Sequence, residues 1–243
     1  MIIRFALRGE SLGFVGTAGI GKSNLVNFLR DIQGNAQRIE QDVEGLHFPV
    51  VDATYWQRTP TSLWKMMLEA LNQATKELEQ SSEDNKVIPI LEEERVLSTL
   101  QARLEWICQE LKHKIMFVLD DFDAVFQTGP LAMLERLNGL RSEGNRGALS
   151  YLVFTKRLPH ILGQNHHMEN GSKFYDLFRH NIYALEPYAA EDARQMLIHL
   201  NEVAGKPLNN RELTQIRALA GGHAQLLKIV FNIWVNEGAP NSR

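Results

Sequence analysis

Gly16, Gly21, Lys22 and Ser23 stand at the spacing G-x-x-x-x-G-K-S within "FVGTAGIGKSN", residues 14–24. Glycines at these positions let the backbone wrap, so that successive N–H groups along Gly16, Thr17, Ala18, Gly19, Ile20 and Asn24 turn inward onto phosphate oxygens. A helix opening at Lys22 adds its positive N-terminal end. The spacing predicts that Lys22 reaches the β- and γ-phosphates of a nucleotide and that the Ser23 hydroxyl binds Mg²⁺. A second half of such a site is a carboxylate at the end of a buried strand, and "KIMFVLDDFD" supplies it. Asp120 is placed to hold Mg²⁺ through water, and Asp121 to polarise an attacking water. At the end of a later apolar run, "YLVFTKR" sets Thr155, Lys156 and Arg157 at the edge where ligands bind in open parallel sheets. Thr155 is a candidate γ-phosphate sensor, and Arg157 a candidate contact to phosphate or to a neighbouring subunit.

These residues need a scaffold, and the hydrophobic pattern describes one. "SLGFVG" (11–16) is a short apolar run ending in glycine and predicts a buried strand. Leu25, Phe28 and Leu29 then repeat at helical spacing. "LHFPVVDA" (46–53) predicts a second strand with an irregularity at Pro49. Thr61 is the expected N-cap of a helix over 62–78, followed by a polar loop over 79–86 and a long helix over 91–112. "IMFVL" (115–119), an unbroken apolar run stopped by two aspartates, matches a strand covered on both faces. A helix over 131–140, strands over 149–155 and 181–187, and a loop over 163–172 complete the alternation. Beyond Pro187 only helices are predicted, over 190–203, 211–220 and 223–236, with a frayed tail after them.

The expected architecture is therefore α/β: a doubly wound parallel five-stranded sheet (1–186) with a small C-terminal helical domain (187–243). Gly221 and Gly222 mark a junction between two of those helices. His223, opening the last one, either faces the nucleotide or is an exposed capping histidine.

The bulk numbers exclude several classes. The chain has 243 residues, 44% hydrophobic and 23% charged, with a net charge of −3. That charge gives no global drive toward nucleic acid or anionic membrane, and DNA would need a local basic patch. Cys108 is the single cysteine, so neither a disulfide framework nor a Cys-based metal site is available, and its helix-forming neighbours suggest a small buried side chain. One adjacent histidine pair, His166 and His167, is not a metal site. No apolar run approaches the roughly 18 residues of a membrane span. These features point to a cytoplasmic protein.

Together, "GTAGIGKSNL", "MFVLDDFD", "LVFTKR", "ALEPYAAEDARQML" and "LAGGHAQLL" resemble the STAND and AAA+ groups of P-loop ATPases, nearest the STAND signal-transduction ATPases and their origin-recognition-like relatives. The resemblance implies an ATP/ADP-binding core with Mg²⁺, followed by a helical lid. It implies that Pro187, opening the lid, packs near the adenine. It also implies nucleotide-driven oligomerisation, while the spacing between Lys22 and Asp120 leaves room for one intervening strand and fits the P-loop branch in which another strand lies between the loop strand and the acidic strand. "LRGE" (7–10) lies too close to the first strand to be the element with which that class grips adenine, and no winged-helix, repeat-sensor or effector domain follows the lid. The expectation is a fragment, a minimised relative or one subunit of a split system. Asp121 stands where vigorous motors carry glutamate, and its shorter reach favours a switch.

The sequence thus favours an ATP-binding regulatory switch with slow hydrolysis and nucleotide-dependent homo-oligomerisation or partner binding. The alternative is a DNA-associated AAA+ ATPase of the replication-initiator or transposition-regulator type, which the charge does not favour. A small-molecule kinase would need an arginine-rich lid, and "LFRHN" and "EDARQM" carry single arginines.

Overall fold

The structure, a computed structural model, describes residues 1–78, 93–141, 144–205 and 207–238. The loop expected over 79–86 and most of the expected tail lie outside the described residues. The chain divides into two compact units: Met1–Val15 with Val26–Ala184, and Gly16–Leu25 with the chain from Leu185 onward.

The first unit is built on a parallel sheet of six strands: β1 (Leu12–Val15), β2 (Leu46–His47), β3 (Val50–Asp52), β4 (Lys114–Asp120), β5 (Leu149–Thr155) and β6 (Ile182–Ala184). The order is β2-β4-β5-β1-β6, with β3 also on β4, so the sheet is five positions wide. The single strand expected over 46–53 is two short ones. Proline has no N–H for a ladder and interrupts the run at Pro49, whose carbonyl still accepts from Val118 N–H at 2.8 Å. β5 lies between the loop strand β1 and the acidic strand β4, the arrangement of the P-loop branch that the Lys22–Asp120 spacing fits. β4 is buried from Ile115 to Leu119 and β5 along its whole length, which is why both read as apolar runs without alternation.

A helix that the sequence reading did not anticipate, α1 (Ile2–Arg8), precedes β1 and ends at Gly9 in the left-handed conformation. After α2 (Lys22–Arg30) comes α3 (Pro60–Ala74). Its N-cap is Thr59 and not Thr61: the Thr59 hydroxyl accepts from Ser62 N–H at 3.2 Å, and Pro60 takes the first helical position, where no N–H is needed. α4 (Glu93–Glu105) widens into a π-helical turn at Trp106–Glu110, over which Arg103 lies 4.6 Å from the Trp106 ring. α5 (Asp123–Thr128) and α6 (Leu131–Gly139) follow β4. The loop expected over 163–172 holds short helical turns, among them α8 (Met168–Gly171), set between α7 (Pro159–Leu162) and α9 (Lys173–Asp176). Met168, Phe174 and Phe178 bring apolar surface from this region into the main core beside Phe126 and Tyr151. Cys108 is buried there too, which pushes its thiol up to about 12 and keeps it unreactive. Among the described residues no helix is long and apolar enough to cross a membrane.

His47 has a consequence for stability. Its Nδ1 faces the Ala74 carbonyl at 3.2 Å, which can only accept, so Nε2 must accept from His113 Nδ1 at 2.9 Å. Burial first, and then the neighbouring His113, push the His47 pKa below its ordinary 6.5. As pH falls through 6.5 the unfolded chain takes up this proton before the folded one does, so stability falls with pH there. Urea midpoints measured at pH 7.5 and 5.5 should drop more for the wild type than for His47→Gln. Equal drops in the two would remove His47 as the source.

The second unit contains three helices packed around Leu197, Ile216, Leu227, Phe231 and Trp234: α10 (Ala190–Glu202), α11 (Asn210–Ala220) and α12 (Ala224–Glu237). α11 starts in a capping box, with Asn209 accepting from Glu212 N–H and Glu212 accepting from Asn209 N–H. Gly222 links α11 to α12 at φ 84, where a Cβ would strike the Tyr188 carbonyl. Tyr188 N–H in turn donates to the Gly222 carbonyl at 3.0 Å, tying the start of this segment to the helix junction.

Candidate nucleotide-binding site

The phosphate loop belongs to the second unit, and so do all the residues that the sequence placed around a nucleotide there: Gly16 to Asn24, Pro187 and His223. β1 ends at Val15, and the chain turns through Gly19 at φ 76 and Gly21 at φ 118 into α2 at Lys22. Gly19 is required twice over. Its φ suits glycine, and a Cβ there would meet the Gln225 side chain. Lys22 is buried, whereas Thr17, Ala18, Ser23 and Asn24 are exposed.

What the sequence did not anticipate is how closely the last helix engages this loop. Gln225 N–H donates to the Gly19 carbonyl at 3.0 Å. The Asn24 amide donates to the Tyr188 hydroxyl at 2.7 Å. A cavity of about 180 Å³ is lined by Gly21, Lys22, Ser23 and Asn24 on the loop side and by Gln225 and Lys228 on α12. It is smaller than the roughly 300–1,000 Å³ of a pocket that encloses a whole drug-sized ligand. It suits the phosphate portion of a nucleotide and sets two lysines against it. Gln225 and Lys228 share a helix face at i, i+3, a signal open to the sequence once α12 is known to start beside the loop. Tyr188 has no comparable signal. His223 caps α12, its Nδ1 accepting from Leu226 N–H at 3.5 Å, and Pro187 is exposed next to Tyr188.

The first unit carries the acidic residues. Asp120 ends β4 in register with Asp52 of β3, whose carboxylate is held by Thr54. Asp121 follows at φ 47, a left-handed conformation that aspartate tolerates better than most residues. Its N–H donates to Asp120 Oδ1 at 2.9 Å, and its Oδ1 lies 3.1 Å from Lys156 Nζ. Lys156 N–H donates to both Asp123 oxygens at 3.0 and 3.1 Å. The bond to Asp121, and then the charges of the aspartates around it, raise the Lys156 pKa. Thr155, the last residue of β5, is in register with Val15 of β1, the residue before the loop. Its Oγ1 is buried with no hydrogen-bond partner among the described residues. An orphaned donor of this kind is costly unless a ligand oxygen meets it, and it fits a nucleotide phosphate. Arg157 is exposed.

Asp120 and Ser23 have the oxygen chemistry for Mg²⁺. Among the described residues no cluster of three or more His, Cys, Asp or Glu could hold a metal by itself, and the His166 Nε2 faces the Gln127 carbonyl.

Residues 8–162 match the model of the AAA domain family. The chain belongs to the AAA domain family. No curated protein matches the sequence. The AAA fold here is similar to that of Aeropyrum pernix ORC1 in complex with DNA, at 20% identity over 97% of this chain and 56% of that one, with a TM-score of 0.62. It is also similar to Aeropyrum pernix ORC2 in its ADPNP and ADP complexes, at 13% identity over 94% of this chain and 56% of that one, with a TM-score of 0.62. Domain III of the Thermotoga maritima replication initiation protein DnaA is similar at 15% identity, over 97% of this chain and 80% of that one, with a TM-score of 0.52. At these identities the likeness is one of fold, an α/β P-loop NTPase fold. This AAA chain spans little more than half the length of the two Aeropyrum proteins.

Proposed function

We propose that this chain is an ATP-binding AAA+ module of the DNA-associated type, in which the helical lid senses whether the phosphate loop is filled. The observation that carries this reading is the bond from α12 to the loop, Gln225 N–H to the Gly19 carbonyl. This bond ties a carbonyl of the loop to α12, so a change in the loop's conformation on phosphate binding would be felt by the lid. Lys22 binds the β- and γ-phosphates, and Lys228 adds a second cation. Ser23 and Asp120 would hold Mg²⁺, which when bound would supply charge neutralisation at the phosphates. Asp121 orients the attacking water and accepts its proton. Thr155 donates to the γ-phosphate, Arg157 meets phosphate or a neighbouring subunit, and Pro187 lies by the adenine.

The DNA half of the reading is supported by the fold shared with ORC1, solved on DNA, and with the DnaA domain. Net charge of −3 places any DNA contact on a local patch. Fluorescence anisotropy of a labelled duplex should show retention with ATP at 50 mM salt. For six or so phosphate contacts, affinity should then fall about 10³-fold by 200 mM. No retention at low salt in any nucleotide state would remove DNA as a partner.

The engagement of Asp121 by Lys156 favours one further feature, slow hydrolysis of the kind a switch uses. In that reading ATP changes self-association or partner binding, and solution mass with ATP and with ADP measures it. A mass that does not respond to nucleotide, together with DNA binding, leaves the DNA-associated function alone.

A further inference from the structure

We propose that the chain binds a second copy of itself through the three-helix unit, the outer face of α12 from one copy docking into the groove between α10 and α11 of the next. α12 buries Leu227, Phe231 and Trp234 in the core of that unit. Its other side carries Leu226, Ile229 and Ile233, each keeping 44% of its surface, and then the exposed Glu237. The spacing i, i+3, i+7, i+11 puts all four on one helix face. Scattered exposed apolar residues are ordinary, but an aligned stripe ending in a carboxylate is what a helix-binding groove reads. Glu237 is also poorly served by its own helix. It is the last helical residue, where the dipole disfavours a carboxylate and a cation from elsewhere would relieve it.

The complement lies on α10 and α11, which run antiparallel. At one end Arg217 Nη1 donates to the Ala190 carbonyl at 3.4 Å, and at the other Asn201 Nδ2 donates to the Leu208 carbonyl at 3.0 Å. Between the helices is a cavity of about 290 Å³ with Leu197, Ile198 and Leu213 as its apolar lining. Arg194, a turn into α10, and Arg217, near the finish of α11, line the same end of it, and Asn210 lines the other. The two guanidiniums share Glu191, which accepts from Arg194 Nη1 at 3.2 Å and also feels the charge of Arg217. A further carboxylate is therefore welcome there. The lengths agree as well. At about 1.5 Å per residue, Asn210 to Arg217 covers about 10 Å and Ile229 to Glu237 about 12 Å. With Glu237 of the second copy on Arg194 and Arg217, its Ile233 meets Leu197 and Leu213, and its Ile229 reaches the Asn210 end. Stripe and groove are different surfaces, so the contact is heterologous and each added copy presents another stripe or groove. One helix face in one groove buries less than the roughly 1,200 Å² of a stable interface, so the association is weak and concentration-dependent. None of these residues lines the phosphate-loop cavity, and the contact does not rest on the nucleotide reading.

The test is sedimentation velocity of the full chain from low to high micromolar concentration, without nucleotide and with ATP. Weight-average mass should climb with concentration in both conditions and pass the dimer without a plateau, whereas a monomer throughout overturns the proposal. Ile233→Lys spoils the stripe and should weaken association about tenfold or more. Arg194→Glu spoils the groove and should weaken it about three- to fivefold. Both side chains are exposed, and far-UV circular dichroism confirms that each variant folds. If a charge reversal disturbs the fold, Ile229→Gln and Arg194→Gln take their places. The decisive arm mixes the two variants. Ile233→Lys retains its groove and Arg194→Glu its stripe, so the mixture should regain the wild-type affinity and stop at the dimer. A mixture of folded variants that associates no better than its components overturns the proposal, as does unchanged association in either variant alone.

Discussion

Asp121→Asn should lower ATP turnover by about 10²–10⁴-fold, the range for loss of a positioned general base, while nucleotide is still bound. Asparagine is the informative replacement for two reasons. It keeps the size and reach of the side chain, and it is one of the few residues that accept the left-handed backbone Asp121 adopts at φ 47. Alanine would remove the carboxylate and strain the turn at once, confounding chemistry with folding. Binding is read by titration with a fluorescent ATP analogue, and turnover by phosphate release. The outcome that would move the catalytic role elsewhere is intact turnover. Asp123 is poorly placed to inherit it, because both of its oxygens accept from Lys156 N–H.

Lys22→Ala should weaken ATP binding by about 10- to 100-fold, since a hydrogen bond to a charged group contributes about 1.5–3 kcal/mol and each 1.4 kcal/mol is tenfold. Binding should not vanish. The backbone N–H groups of the loop and the N-terminus of α2 would remain to meet the phosphates. Lys22 is buried, so alanine also leaves a gap in the loop. Lys22→Met fills the gap without the charge and should lose about as much affinity as alanine. Wild-type affinity in both variants would end the phosphate-loop reading. Affinity lost only in the alanine variant would mean that Lys22 supports the loop by packing.

The parts of this protein that were legible in the sequence are those whose physics is local or periodic. "GTAGIGKSN" predicts much of its own conformation, because the positive φ at Gly19 and Gly21 and the lysine at a helix start lie within a short stretch of chain, although the closeness of Gln225 to Gly19 does not. β4 and β5 were visible because a strand covered on both faces has no polar positions to interrupt it. The helices over 190–202, 210–220 and 224–237 followed from their period, with ends displaced by a residue. Where two local signals compete, the sequence does not decide between them. Thr59 and Thr61 both flank Pro60, and only the bond from Ser62 N–H singles out Thr59. Pro49 announced an irregularity without saying that both halves of the run would pair with β4.

What the sequence alone determined is the chemistry available here: a loop that can hold phosphate, two carboxylates after a buried strand, and a threonine at another strand's end. What only the tertiary structure decided is which of these groups hold one another. Gln225 meets Gly19 across some two hundred residues of chain, and Lys156 meets Asp121 only because β4 and β5 are neighbours in the sheet. No periodicity encodes such pairs. They arise from strand order and helix docking, which depend on how whole apolar faces are buried and not on the few polar residues that the burial brings together.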